Sequence, residues 1–158
     1  MSDTTPRKKG KPNLTEMRRN ARNFALQALY QWSLAGQKPN EIEAQFRVDN
    51  DMSSTDTQLF SELLRGVTGA SRDLDEAFRP FLDRPLDDLD PVERSVLRIG
   101  AYELLHRPQV PYRVAINESV ELAKTFGATE SHKYVNGILD KLAQRARAAE
   151  IRARRNNG

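Results

Sequence analysis

The stretch Ala21-Arg22-Asn23-Phe24-Ala25-Leu26-Gln27-Ala28-Leu29-Tyr30-Gln31-Trp32 decides the fold class. Ala21, Phe24, Ala25, Ala28, Leu29 and Trp32 recur at steps of three and four, which stacks them on one face of an α-helix. Leu26, Tyr30 and Leu34 form a second stripe beside the first. The apolar arc therefore widens toward the C-terminal half, as suits a central helix packed on more than one side. The pattern runs from Thr15 to Ala35, and Gly36 supplies the stop.

Outward from this helix the chain reads as more helix. Its prolines fall at 6, 12, 39, 80, 85, 91, 108 and 111, leaving the proline-free stretches 13–38, 40–79 and 112–158, rich in Leu and Ala. No run alternates apolar and polar residues with β-branched enrichment. A short helix with Ile42, Gln45 and Phe46 follows Pro39. A long one from Ser54 or Thr55 to Arg79 carries Leu59, Phe60, Leu63, Leu64, Val67, Leu74 and Phe78 inward. Gly66 and Gly69 each weaken its middle by about 1 kcal/mol relative to Ala and allow a kink. After a loop over 80–90, Asp90-Pro91-Val92-Glu93 reads as a helix start, with Asp90 capping, Pro91 in the first position and Glu93 at capping-box spacing. Further helices run from about Tyr112 to Phe126 and from Ser131 onward. The expected fold class is all-α: two small helical bundles packed together, about six to seven helices, no sheet. Residues 1–14 are expected to form a flexible basic tail and 15–147 a single domain with sub-bundles over about 15–82 and 90–147. Residues 148–158 are expected to form a disordered basic tail.

Composition narrows the chemistry. In 158 residues there is no cysteine and there are only two histidines, His106 and His132, which excludes disulfide frameworks, thiolate metal sites and cysteine nucleophiles. No apolar run reaches the roughly 18 residues of a membrane span, and Met1 to Asn13 has no hydrophobic stretch after its basic residues. A soluble cytoplasmic protein with no membrane partner is expected. The acidic loop Asp83, Asp87, Asp88 and Asp90 lacks EF-hand spacing, Glu118 and Glu121 lack a Glu-x-x-His companion, and no glycine-rich phosphate loop exists. No catalytic site, metal or cofactor is expected.

The charge is unevenly placed. Residues 1–24 carry seven Lys/Arg against two Asp/Glu, residues 131–158 again seven against two, and the middle is acidic. Basic ends on an acidic body suggest a local polyanion site, with solubilising tails as the plainer reading. Arg18, Arg19 and Arg22 open the first helix, where cations oppose the helix dipole, so they serve something besides helix stability. Guanidinium forks bind phosphates, Tyr30 offers a stacking ring and Gln27 a base-edge partner, a set suited to single-stranded RNA. Tyr30 also reads as an ordinary core-edge tyrosine.

Three segments together resemble the NusB family of transcription antitermination proteins. They are the 21–32 run quoted above, then Pro111-Tyr112-Arg113-Val114-Ala115-Ile116-Asn117-Glu118 with Glu121-Leu122-Ala123-Lys124, and Ser131-His132-Lys133-Tyr134-Val135-Asn136-Gly137-Ile138-Leu139-Asp140. They stand in the family's order and spacing, and the resemblance spans about residues 16–145. It implies an all-helical, non-catalytic protein that binds boxA, a single-stranded RNA element in ribosomal RNA operon leaders. It also implies a heterodimer with NusE, a small-subunit ribosomal protein, and a place in the RNA polymerase elongation complex with other Nus factors. Carried over, Arg18, Arg19 and Arg22 fall on the arginine-rich RNA motif, Gln27 and Tyr30 on the first helix's RNA positions, and Lys133 and Tyr134 on the third segment's share of that surface, with Glu130 just before it. Asn20 stands where some relatives carry another arginine, and Arg7, Lys8, Lys9 and Lys11 lie in the longer tail as possible compensation. Tyr102, Glu103, Arg107 and Tyr112 fall where the family meets NusE. Asn117 and Asn136 read as helix–helix hydrogen-bonding residues. Two other readings compete: a fragment of a ribosomal RNA methyltransferase, whose N-terminal helical domain is similar, and a plain protein–protein helical module.

Overall fold

Local chemistry sets where each helix begins and ends in the computed structural model, which describes residues 12–157. Asn13 is extended and its side chain accepts the Glu16 N–H at 2.8 Å, so α1 starts at once and spans Leu14–Ala35. Gly36, at φ 69°, takes the left-handed turn that ends it. Pro39 opens α2 (Pro39–Asp49), and the Asp56 carboxylate caps α3 (Thr57–Gly69) through the Leu59 N–H at 3.0 Å. Asp90 accepts from the Val92 and Glu93 N–H groups and starts α5 (Pro91–His106). Two helices follow, α6 (Tyr112–Phe126) and α7 (Ser131–Ala146). Among the described residues all regular structure is helical, and no helix is long and apolar enough to cross a membrane. The expected basic tail over 1–14 lies largely outside the described residues.

Three sequence expectations are revised. The long helix over 55–79 is divided at Ala70 into α3 and α4 (Ser71–Phe78), so the kink the glycines allow becomes a break, with the Ala70 N–H shared between the Gly66 and Val67 carbonyls. Glu93 does not reach back to close a capping box. Its buried carboxylate accepts the Ser131 hydroxyl at 2.6 Å and ties the start of α5 to the start of α7. Finally, residues expected to fray after 147 form α8 (Ala148–Asn157). The anchor is Arg147, 6% exposed, whose guanidinium donates to the Glu103, Leu104, Arg107 and Val110 carbonyls. The Glu103 and Arg107 carbonyls also accept the Arg107 and Val110 N–H groups, while for the Leu104 and Val110 carbonyls at and beyond the end of α5 the guanidinium supplies the donor. Glu150 pairs with Arg147 and accepts the Tyr112 N–H at 2.9 Å, capping α6 as well. Ile151 is buried beside them.

Among the described residues the α-helices number eight, slightly above the six to seven expected. α1, α2 and α3 pack on one another, as do α5, α6 and α7, and α1, α3 and α4 also pack on α5. One buried cluster runs through all of them, from Ala21, Ala25, Ala28 and Leu29 to Val96, Leu97, Ile99, Leu139 and Leu142. Phe24 meets Phe46 and Phe60 edge-to-face and Phe46 lies tilted against Phe60, with centroids 6.0–6.5 Å apart, tying α2 to α1 and α3. Two buried bidentate ion pairs hold α5: Arg98 on Asp75 of α4, both bonds 2.8 Å, and Arg22 of α1 on Glu103, 2.9 and 2.7 Å.

At Gly100, α5 lies close against α6 and α7. A β-carbon there would overlap the Leu139 side chain and stand 2.8 Å from the Ser119 hydroxyl. Gly100→Ala is expected to destabilise the protein by about 1–3 kcal/mol through overpacking, although alanine is the better helix former. Urea unfolding measures this, and a variant at least as stable as the parent would show that α5 is not so tightly packed on α6 and α7.

Candidate nucleic-acid interface

The arginines that open α1 separate into two environments. Arg18 and Arg19 are exposed, whereas Arg22 is 4% exposed. Arg18 and Arg22 share a face, as their spacing requires, but that face descends into a depression also lined by Arg107, Val114 and Glu118, with Arg22 beneath. Both ends of the Arg22 fork are engaged by the fully buried Glu103 carboxylate. Burial works to lower the Arg22 pKa, but the hydrogen bond and charge of Glu103 outweigh it and hold the guanidinium above its ordinary value. A guanidinium so committed has its Nε edge taken by the carboxylate. The structure thus gives Arg22, expected on the RNA motif, a place in the scaffold as the partner of Glu103.

The same cluster engages most of the expected partner-binding set in contacts within the chain. Glu103 is wholly inside. Arg107 donates to Glu62 at 2.5 Å and lies 3.9 Å from Glu103, and the Tyr102 hydroxyl reaches Glu62 at 3.3 Å. Tyr102 lies against Gly66, where a β-carbon would collide with its ring. Tyr112 is buried, with the Arg113 and Arg154 guanidiniums each 5.8 Å from its ring centroid. Glu103 thus joins α1 to α5 from within, and the half-buried Tyr102 and Arg107 join α3 to the end of α5 nearer the surface. The sequence missed this because a pair separated by 81 residues leaves no local signature.

The remaining site residues lie along one course over the surface. Arg19 gives its Nε to both Glu118 oxygens at 3.1 and 3.3 Å, while its side chain stays 56% exposed. With Asn23, Glu121 and Thr125 it lines a small depression between α1 and α6. Past Thr125, Phe126 forms one wall of an open groove of 630 Å³ shared with Leu26, Gln27, Tyr30, Leu34, Phe46 and Val92. Gln27 is exposed and donates to the Asn23 carbonyl, Tyr30 is 38% exposed and Leu34 is 61% exposed. The second apolar stripe of α1 is therefore the groove wall. Its Tyr30–Leu34 step was visible in sequence, whereas Val92 and Phe126 come from distant segments.

Beyond Phe126 the 128–131 loop lines a third depression with Arg84, Glu93 and Tyr134. Glu130 holds φ 73° there, a left-handed conformation uncommon for a residue with a β-carbon. Lys133 projects into solvent and pairs with Glu130 at 2.6 Å. The Tyr134 hydroxyl accepts the Asp83 N–H at 3.1 Å, and Arg84 lies over its ring at 4.6 Å. Arg84, which the sequence did not single out, bonds the Asp83 carboxylate and, with Tyr134, holds its pKa down to about 2. Asn117 and Asn136 are exposed rather than wedged between helices.

A family model described as the NusB family matches residues 19–144. The chain belongs to the NusB family. It is 58% identical over 151 residues to the transcription antitermination protein NusB of Pseudomonas entomophila (strain L48), covering 96% of this chain and 91% of that one. Against the protein of the same name from Marinomonas sp. (strain MWYL1) it is 59% identical over 159 residues, covering 98% and 91%. A solved structure of T. maritima NusB superposes with a TM-score of 0.69 at 31% identity, covering 80% of this chain and 90% of that one. Membership in the NusB family carries the coarse role, transcription antitermination, and the all-helical fold agrees with it.

The buried pair gives a stability test. Arg22→Met strands the Glu103 charge in the interior and is expected to cost about 3–5 kcal/mol, while Arg22→Met with Glu103→Leu recovers most of that loss. Chemical unfolding of the two single variants and the double variant measures the coupling. Additive losses would mean that the two side chains do not depend on one another.

Proposed function

We propose that this NusB-family chain is a non-catalytic antitermination factor that binds boxA-type single-stranded RNA of ribosomal RNA operon leaders together with NusE. In the elongation complex of RNA polymerase with other Nus factors, this suppresses premature termination. The observation that carries the reading is a series of three depressions, one lined by Arg19 at the α1–α6 edge, one by Tyr30 and Phe126, and one by Arg84 and Tyr134, with Arg18 and Lys133 exposed beside the two ends. It offers cations and aromatic rings in alternation, the combination that unpaired RNA needs for phosphate contact and base stacking. Arg19 bonds Glu118 through Nε, which orients it and leaves its terminal nitrogens for phosphate. Tyr134 lies at the other end, and a base stacking on it would take the place of Arg84 or pack beside it.

For NusE, the apolar groove between α1 and the end of α6 is the better seat than the α5 terminus. Leu34 is largely uncovered there, and Gln27 and Tyr30 stand on its rim. A protein seated on the groove would lie against the RNA course at Phe126 and lengthen it. Linkage then requires NusE to tighten RNA binding and RNA to tighten NusE binding by the same factor, typically worth about 1–3 kcal/mol.

Titration of a labelled boxA-like RNA against a scrambled RNA of equal length tests this, with and without NusE. Arg19→Ala is expected to weaken binding and flatten the log–log salt dependence by about 0.7 per lost contact. Tyr134→Ala is expected to cost about 1–3 kcal/mol of RNA affinity. Leu34→Glu is expected to remove the NusE coupling while leaving intrinsic RNA affinity intact. Equal binding of both RNAs that vanishes by physiological salt would instead favour a plain helical module with adventitious charge.

A further inference from the structure

About half of the cations on the described surface have an anion beside them. Arg47, Arg65, Arg79, Arg84, Arg94, Lys124 and Lys133 all pair with acids within 4 Å. Lys38, Arg72, Lys141 and Arg145 are exposed without an acid singly, whereas α8 gathers three such cations on one short helix. Arg152, Arg154 and Arg155 are exposed and make no ion pair among the described residues. The acid of that helix, Glu150, is turned inward onto Arg147 and the Tyr112 N–H. Arg113 at the start of α6 is likewise unpaired by an acid, and its guanidinium, like that of Arg154, lies 5.8 Å from the Tyr112 ring centroid.

These charges connect to the α1 end of the course already described. The depression lined by Arg18 also includes Gln109 and Pro111, and both residues line the next depression, which includes Arg154. One surface therefore runs from Arg18 over the turn at 108–111 to α8, leaving Arg19 on the opposite side of Arg18 toward α6. The helix that carries it is fixed in place. Arg147 inserts into the end of α5, Glu150 caps α6 and Ile151 is buried, so the arginines stand on a docked helix rather than a loose tail. Cations held in this way lose less conformational freedom on contact with a polyanion than cations on a flexible chain. Arginine near a helix C-terminus also complements the dipole, which accounts for Arg154 and Arg155 but not for Arg113 or Arg18.

We propose that α8, with Arg113 and Arg18, forms a phosphate-binding track for unstructured RNA that flanks the recognised element, extending the RNA path past the α1 end of the interface. The track has cations without the alternation of exposed aromatic rings found along α6 and α7, so it holds backbone without reading sequence. This rests on the proposed binding of single-stranded RNA.

The test uses the full chain and two RNAs, the boxA-like element alone and the same element with unstructured flanks at both ends. The parent is expected to bind the flanked RNA about tenfold more tightly at low salt, with a log–log salt slope steeper by about 2, as three added contacts require. The variant Arg152→Gln/Arg154→Gln/Arg155→Gln is expected to lose that advantage and keep its affinity for the element alone. Arg152→Lys/Arg154→Lys/Arg155→Lys is expected to retain most of it. Gln and Lys are both good helix formers, so circular dichroism should show α8 intact in both. The proposal is overturned if the Gln variant keeps the advantage, if the parent shows none, or if the variant loses affinity equally for both RNAs. Failure of the underlying reading looks different: the parent would not distinguish the element from a scrambled sequence.

Discussion

The buried ion pair of Arg22 with Glu103 is the contact on which the disposition of the surface depends. Placing two charges in the interior costs several kcal/mol per ion and is offset only when the geometry is good on both sides. Here both carboxylate oxygens accept from the fork at 2.9 and 2.7 Å. The pair fixes the register of α1 along α5, since a slip of one turn, about 5.4 Å, would separate the partners. That register decides which arginines face solvent. Arg18 and Arg19 stay outside, and the Tyr30–Leu34 stripe turns to the groove beside Phe126. On the other side of the domain, Arg98 with Asp75 holds α4 on the same helix. α5 thus acts as a post to which the first and fourth helices are tied by charge as well as by apolar packing.

Helix positions were legible in the sequence wherever a local rule operates. The Asp90-Pro91 start, the Gly36 stop and the breaks imposed by Pro80 and Pro108 depend on a few neighbouring residues, and the structure agrees with them. The errors arose where a distant partner decides the outcome. A tail of Ala and Arg looked free to fray because nothing near it in sequence announces that Arg147 fits the end of α5. Glu93 looked like a capping-box acid because Ser131, its partner, lies 38 residues away. Arg22 is the sharpest instance. Arginines at 18, 19 and 22 are equivalent in composition, and only the depth at which α1 crosses α5 separates the interior one from the other two.

The consequence for the site is a division of labour among residues that look alike. Arg22 holds the scaffold, while Arg18 and Arg19 are presented by it. Tyr102 and Tyr112 are used in packing and in bonds to Glu62 and Glu150, whereas Tyr30 keeps a free edge at the groove and Tyr134 sits under a movable arginine. Rigidity at the inner residues is what gives the outer ones fixed spacing, and fixed spacing lets a small basic protein bind a flexible strand without ordering its own side chains first. The anchoring of α8 by Arg147, Glu150 and Ile151 follows the same plan on the far side of Arg18.

The most direct measurement of this arrangement is the footprint of a boxA-like single-stranded RNA on the protein by NMR, following amide signals and the arginine Nε–H signals together. Shifts are expected along the outer face of α1, the end of α6, the 128–131 loop and the start of α7. The Arg19 Nε–H signal should move, and that of Arg22 should stay where it is in the free protein. A footprint centred on Tyr102 and Arg107, or an Arg22 signal that moves as far as that of Arg19, would contradict the assignment of Arg22 to the scaffold and of the RNA to the α1–α6–α7 surface.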